Sequence, residues 1–339
     1  EDTMKKKNKE YLTLTNFFSK ALFLGIGISK ILIEVRESTI FSLLIGTVMG
    51  TLILLFLNKL SYYNCKGIRK LIMFILIYTL LVIGLVEFTT LISSIYLIDI
   101  KKYILMIPTL IVIIYMNSKD INIHYKISAM LYSVSLVIFL IALFSLTPQI
   151  DYLNLLPLFN VKFKKILFGG LEFSLFSVVP NILYGGLNVK KDNNIIKKYL
   201  VSNLLILLAF IVTQGILGIE LIKMFKYPED IVLKKISLLD FINNVENIIS
   251  FFWLFTIFMY LTMCSKQLYD MAYETFNNKY IYPIFLFISM FFIANYFLDN
   301  VNWLLFVFHY LWLILLTILI IYILNNLISL KEKNNYSDK

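Results

Sequence analysis

The chain is short of cysteine, histidine and charge, and each shortage removes a class of function. Its two cysteines, Cys65 and Cys264, form no spaced redox or metal pattern and are read as reduced, structural residues. Its two histidines, His124 and His309, stand far apart with no ligand motif, so no metal site is expected, and His309 reads as a packing residue on an aromatic helix. No Gly-x-Ser-x-Gly and no phosphate-binding loop occurs, so neither catalysis nor a cofactor is expected. Charged residues are 15% of the 339 positions, against about 25% in a soluble domain, too few to clothe a water-facing surface. No small-residue cleavage site follows Lys5–Lys9 and the first apolar run, so no cleavable signal peptide is expected.

What the chain has in abundance is apolar surface. Hydrophobic residues make up 60% and aromatics 16%, and the mean hydropathy is +0.82. The excess runs almost end to end, which implies an integral membrane protein. The net charge of +10 does not point to nucleic acid, because the basic residues lie between the apolar runs, where they set topology.

A helix needs about 20 apolar residues to cross the hydrocarbon core. Ten such runs are read, at 12–33, 38–58, 71–98, 103–118, 127–147, 166–187, 199–224, 247–265, 280–298 and 302–328. The fourth is short and holds Pro108. Barrel strands would show only about ten alternating residues, so the runs mean helices. Lysine and arginine are concentrated in the segments that face inside when the N-terminus is inside, which places both termini in the cytoplasm. The expected organisation is a cytoplasmic segment 1–11, a single ten-helix transmembrane domain 12–328 and a cytoplasmic tail 329–339. In the long outer loop, Tyr227-Pro228 marks a turn and Ile231 to Leu239 has the character of a short interfacial helix.

Ten spans divide into five and five, the plan of an inverted repeat. The first span of each half carries helix-breaking residues: Gly25-Ile26-Gly27 in span 1, and Gly169-Gly170, Pro180 and Gly185-Gly186 in span 6. The expectation is therefore an all-α membrane fold with discontinuous helices 1 and 6. Half-helix N-termini would attract a carboxylate, and an acidic side chain an ammonium, so an amino acid fits both. Two acids lie inside apolar runs, Glu87 and Glu172. A charge at that depth costs roughly 2.5–3.5 kcal/mol on insertion scales and normally faces a cavity or a partner. The candidate ligand-binding set is Gly25, Gly27, Glu87, Thr90, Glu172, Ser174 and Ser177. Plainer readings stay open: glycines that serve close helix packing, Glu172 near the outer headgroups, and Pro180 as a simple kink. Trp253 and Tyr260 read as packing or interface residues.

The segment Asp151-Tyr152-Leu153-Asn154-Leu155-Leu156-Pro157-Leu158-Phe159 resembles the "NLLP" stretch of the spore germination permease family. These are the polytopic B subunits of Ger-type germinant receptors, within the amino acid–polyamine–organocation superfamily. Lys126-Ile127-Ser128 stands where the family has Arg-Ile-Ser, and Tyr227-Pro228 where it has Tyr-Pro. Phe241-Ile242-Asn243-Asn244-Val245-Glu246, then Trp253, is similar to its Phe-Leu-x-Arg-x-Glu…Trp stretch. Pro180 joins Asn154, Pro157, Tyr227, Pro228, Glu246 and Trp253 as structural positions. The chain departs from the pattern at Asn244 (arginine in the family), at Asp120 (glycine), at Glu37-Ser38-Thr39 where an Asp-x-Trp is common, and in lacking a Thr-Pro near span 4. Asn244 leaves Glu246 without the family's cationic neighbour, the mark of a divergent member.

The resemblance implies a transporter-like fold used as a receptor. Its subunit binds a small germinant, often an amino acid, in the inner membrane of the spore, beside an A-type membrane subunit and a C-type lipoprotein. Ligand would lie between spans 1, 3, 6 and 8. A proton- or sodium-coupled amino-acid transporter is the alternative, and an assembly protein that keeps the fold without a ligand is the third class.

Overall fold

The computed structural model describes residues 34–59, 68–157, 159–185, 195–225, 227–236, 245–278 and 280–299, with a few further positions between 316 and 328. These residues are helical, with no strand among them. The helices are α1 (Thr39–Lys59), α2 (Ile68–Ile95), α3 (Lys102–Asn117), α4 (Ile121–Leu146), α5 (Phe163–Gly185), α6 (Ile195–Met224), α7 (Pro228–Leu233), α8 (Val245–Phe276) and α9 (Ile281–Asp299). Short 3-10 turns occupy Arg36–Ser38, Thr147–Gln149 and Tyr152–Leu155.

Among the described residues, five stretches are long and apolar enough to cross a membrane: Arg36–Leu55, Met73–Ile95, Lys126–Gln149, Tyr199–Met224 and Ile249–Phe276. Lys102–Asn117 and Ile281–Ile293 are shorter apolar helices. On α4 the large apolar side chains Met130, Val137, Ile141 and Phe144 point outward. So long an apolar face is costly in water and natural in lipid. The expected spans 12–33 and 302–328, with Gly25 and Gly27, fall outside the described residues or on scattered positions.

The helices gather into two compact units. One comprises Glu1–Leu54, Tyr125–Asn181 and Asp192–Ile257, and the other Leu55–His124, Ile182–Lys191 and Phe258–Lys339.

In the first unit α1 and α5 meet along a seam of small residues. Ser42 Oγ donates to the Ile166 carbonyl at 2.9 Å. One turn on, a Cβ on Gly46 would lie 2.5 Å from the Gly170 carbonyl oxygen, and a Cβ on Gly170 would lie 3.1 Å from that of Ser42. Two turns on, Gly50 faces Val178 and the Tyr199 hydroxyl. The contacts ascend together along both helices, so α1 and α5 run parallel. Small residues four apart let two backbones approach without a hydrophobic driving force, as membrane interiors require.

That seam corrects one sequence expectation. Gly169-Gly170 and Pro180 do not interrupt span 6: α5 is a single helix from Phe163 to Gly185. Gly170 serves backbone approach instead, while the Pro180 side chain lies outside the described residues. The break falls in α6, where Gly218 adopts φ 69° and ψ 163°. The Tyr152–Leu155 turn closes over it. Asp151 N and Asn154 Nδ2 each donate to the Gly215 carbonyl at 3.0 Å, and Gln214 Nε2 donates to the Asn154 carbonyl at 3.3 Å. Asp151 also caps its own turn by accepting from Leu153 N. The family-like Asn154 is thus a clasp on a broken helix. Pro157, three residues on, follows a cis peptide bond.

The short helix after Tyr227 also differs from expectation. It runs Pro228–Leu233 rather than 231–239, because Pro228 at its first position presets the helical φ. Residues 237–244, including Asn244, lie outside the described set.

In the second unit α2 packs against the later part of α8 in the opposite sense. Phe88 meets Phe258, Gly84 meets Leu261, and Lys70 Nζ bonds Glu274 Oε2 at 3.0 Å. Tyr78 of α2 meets Phe285 of α9, and Lys102 at the start of α3 reaches the Leu298 carbonyl near the end of α9. The α8 helix stops at Asn277, whose positive φ (50°) and N–H bond to the Tyr273 carbonyl close its last turn.

Candidate functional site

The sequence-derived acids are both enclosed. Glu87 retains 6% of its surface and Glu172 8%. They belong to different units, Glu87 on α2 and Glu172 on α5. Thr90 lies one turn from Glu87, on the same face. Its hydroxyl donates to the Val86 carbonyl at 2.6 Å, and that of Thr89 to Leu85 at 2.7 Å. With its proton committed to its own helix, Thr90 offers a ligand acceptor lone pairs only. Together with a carboxylate, that is a surface for a cation such as an ammonium.

On α5 the continuity of the helix separates residues that the sequence reading grouped. Residues on an unbroken helix advance roughly 100° each, so Ser174 and Ser177 lie roughly 200° and 140° from Glu172. The two serines share a face with each other but not with the acid. Ser174 Oγ donates to the Leu171 carbonyl, and Ser177 Oγ donates to the Ser174 carbonyl and meets the Tyr199 hydroxyl at 2.6 Å. Tyr199 is fully buried, and its ring end fills the hollow left by Gly50. The serine pair is therefore part of helix packing among α1, α5 and α6. Every described side chain of α5 from Glu172 to Val178 is buried, so the helix is covered on all sides. Glu246 and Trp253 fall on α8, with side chains outside the described residues, while Tyr227 is buried beside Pro228.

Two polar groupings lie outside the candidate ligand-binding set. The first joins α3, the start of α4 and α8. Asn117 Nδ2 donates to Ser265 Oγ at 2.8 Å, Lys266 Nζ donates to the Asn117 carbonyl at 2.9 Å, and the same ammonium pairs with Asp270 at 3.1 Å. His124 is fully buried beside them, with Nδ1 at 3.2 Å from the Asp120 carbonyl. Burial, above all, and the nearby Lys266 charge hold its pKa below the usual histidine value, against the pull of Asp120 and Asp270. The second grouping is the α6 break with its Asn154 clasp.

The first turn of α7 carries an acidic pair. Asp230 is buried, pairs with Lys234 at 3.1 Å and accepts from Ser250 Oγ at 3.3 Å, which ties α7 to α8. Burial and the adjacent Asp230 push the Glu229 carboxyl up to about 7. The folded protein then holds this proton where the unfolded chain, titrating near 4.5, has lost it. Stability from Glu229 is present at low pH and is lost as pH rises through about 7. Thermal melts between pH values of about 5 and 8 are expected to show wild type losing stability with rising pH and Glu229→Gln losing less. Parallel pH profiles would contradict the assignment.

Among the described residues no group of three or more His, Cys, Asp or Glu is placed to hold a metal ion. Comparison with protein-family models and with curated proteins finds no match for this chain.

Proposed function

We propose that the chain is a multi-pass membrane subunit that binds a small amine-bearing germinant, an amino acid, and signals spore germination. The observation that carries this reading is the enclosure of Glu87 and Glu172 within apolar helices. A buried carboxylate at membrane depth is retained at a cost of a few kcal/mol, which favours a functional role over a structural one. The acceptor-only hydroxyl beside Glu87 matches an ammonium group. The resemblance of 151–159 to the germination permeases supplies the receptor role, and the docking of Asn154 on the α6 break gives that motif a physical task.

The proposal keeps ten crossings, an inverted repeat and cytoplasmic termini. The parallel sense of α1 and α5 supports it in part. An odd number of crossings must separate two parallel spans, and α2, α3 and α4 are three. By this argument α3 counts as a crossing despite its 16 residues. An A-type membrane subunit and a C-type lipoprotein are the proposed partners, and the inner membrane of the spore the proposed location.

The experiment is deletion of the gene in its host, with germination scored against a panel of amino acids in a strain lacking redundant receptors. Loss of the response to at least one amino acid is expected, with restoration by the wild-type gene. Unchanged responses to all of them would remove the receptor role. Concentrative uptake of a labelled amino acid into proteoliposomes would instead mark a coupled transporter.

A further inference from the structure

The break in α6 concentrates oxygen acceptors inside the first unit. Three carbonyls, those of Gly215, Ile216 and Leu217, have their helical i+4 donors on the far side of Gly218. A residue at φ 69° and ψ 163° cannot keep an α-helical ladder across itself. The Gly215 carbonyl is compensated twice over, by Asp151 N and Asn154 Nδ2. One residue earlier, Gln214 is fully enclosed. Its Nε2 donates to the Asn154 carbonyl, which fixes the direction of the amide, because a flipped amide would set two acceptors against each other. Gln214 Oε1 is then a buried acceptor with no hydrogen-bond partner. Native proteins rarely leave such a group unsatisfied, least of all in a membrane helix.

The surroundings define what could satisfy it. The half-helix that ends at the break carries its negative partial charge there. The oxygens are neutral amides and carbonyls, which suits a singly charged hard cation. Asp151 is exposed and spends Oδ1 on its own turn, Glu220 is exposed and pairs with Lys223, and no cluster of acidic or imidazole ligands exists among the described residues to hold a divalent ion. Interrupted helix ends lined by carbonyls are how membrane proteins coordinate alkali ions. Asn154, whose carbonyl accepts from Gln214, is half-exposed. We propose that the α6 break, through Gln214 Oε1 and the carbonyls straddling Gly218, binds a monovalent alkali cation. The site shares no residue with Glu87 or Glu172 and stands whether or not those acids bind a germinant.

The test uses the purified full-length protein in detergent at about pH 8, melted in choline chloride with sodium or potassium chloride replacing choline at constant ionic strength. With sodium or potassium in roughly tenfold excess over half-saturation, the melting temperature is expected to rise by about 2 °C, saturably. Gln214→Leu abolishes the rise, and Gln214→Glu, by adding a negative charge, lowers the half-saturating concentration about tenfold. Equal melting temperatures in choline, sodium and potassium would overturn the proposal and leave water as the partner of Oε1. So would an alkali-ion response that survives in Gln214→Leu. Should the leucine variant not fold, an unchanged half-saturation in Gln214→Glu overturns it equally.

Discussion

Replacing Gly46 with leucine is expected to leave almost no folded protein in the membrane fraction, and Gly46→Ala to cost about 1–3 kcal/mol. The obstacle is backbone. An added Cβ would lie 2.5 Å from the Gly170 carbonyl oxygen and 2.8 Å from the Phe173 ring. A flexible side chain could swing aside, but a carbonyl on the facing helix can move only if α1 and α5 separate. Separation stretches the Ser42–Ile166 hydrogen bond and opens the Gly50–Tyr199 contact, so the loss spreads along the seam. Val48, on the same helix and 61% exposed, supplies the control. Val48→Leu should leave yield and melting temperature unchanged. Fluorescence-detected size exclusion, followed by thermal melting, reads both. Normal yield and stability in Gly46→Leu would show that the two helices are not in backbone contact.

Gly218→Ala should lower the melting temperature by about 1–4 °C, from a backbone strain of about 1–3 kcal/mol. The conformation at Gly218 belongs to a region essentially reserved for glycine. The new Cβ would also sit 3.0 Å from Asn154 Oδ1. The two contributions can be separated. Adding Asn154→Ala removes the collision but not the strain, and it also removes the clasp on the Gly215 carbonyl. The double variant should therefore be no more stable than Gly218→Ala alone. A Gly218→Ala protein with wild-type stability would mean that α6 is straight there.

These two glycines also mark the limit of what could be read without coordinates. Glycine serves close approach and positive φ equally well, and sequence does not say which. Gly169-Gly170 looked like a break because Pro180 follows, yet Gly170 accommodates the backbone of α1. Gly218 lies inside a strongly apolar run, yet it is the break. What settles the matter is non-local: Ser42 and Gly46 lie more than a hundred positions before Gly170, and Asn154 lies about sixty before Gly215.

The long apolar runs were legible because burial in lipid demands them at a fixed length, and the enclosure of Glu87 and Glu172 followed from their place within those runs. The grouping of Glu172 with Ser174 and Ser177 assumed a broken helix, and the continuous helical turn of α5 parts them. The cluster of Asn117, His124 and Lys266 joins the ends of three helices, and no spacing within one segment could have announced it. Tyr227-Pro228 was read as a turn and the helix after it was placed from 231, whereas Pro228 is itself the first residue of that helix.

The most direct test is equilibrium binding of labelled amino acids to the protein in lipid nanodiscs, comparing wild type with Glu87→Gln and Glu172→Gln. Saturable binding of at least one amino acid is expected in wild type, weakened about tenfold or more in at least one glutamine variant that melts normally, as loss of a buried charge pairing implies. No binding by wild type across the full panel, or affinities unchanged in both variants, would contradict a ligand site built on these buried acids.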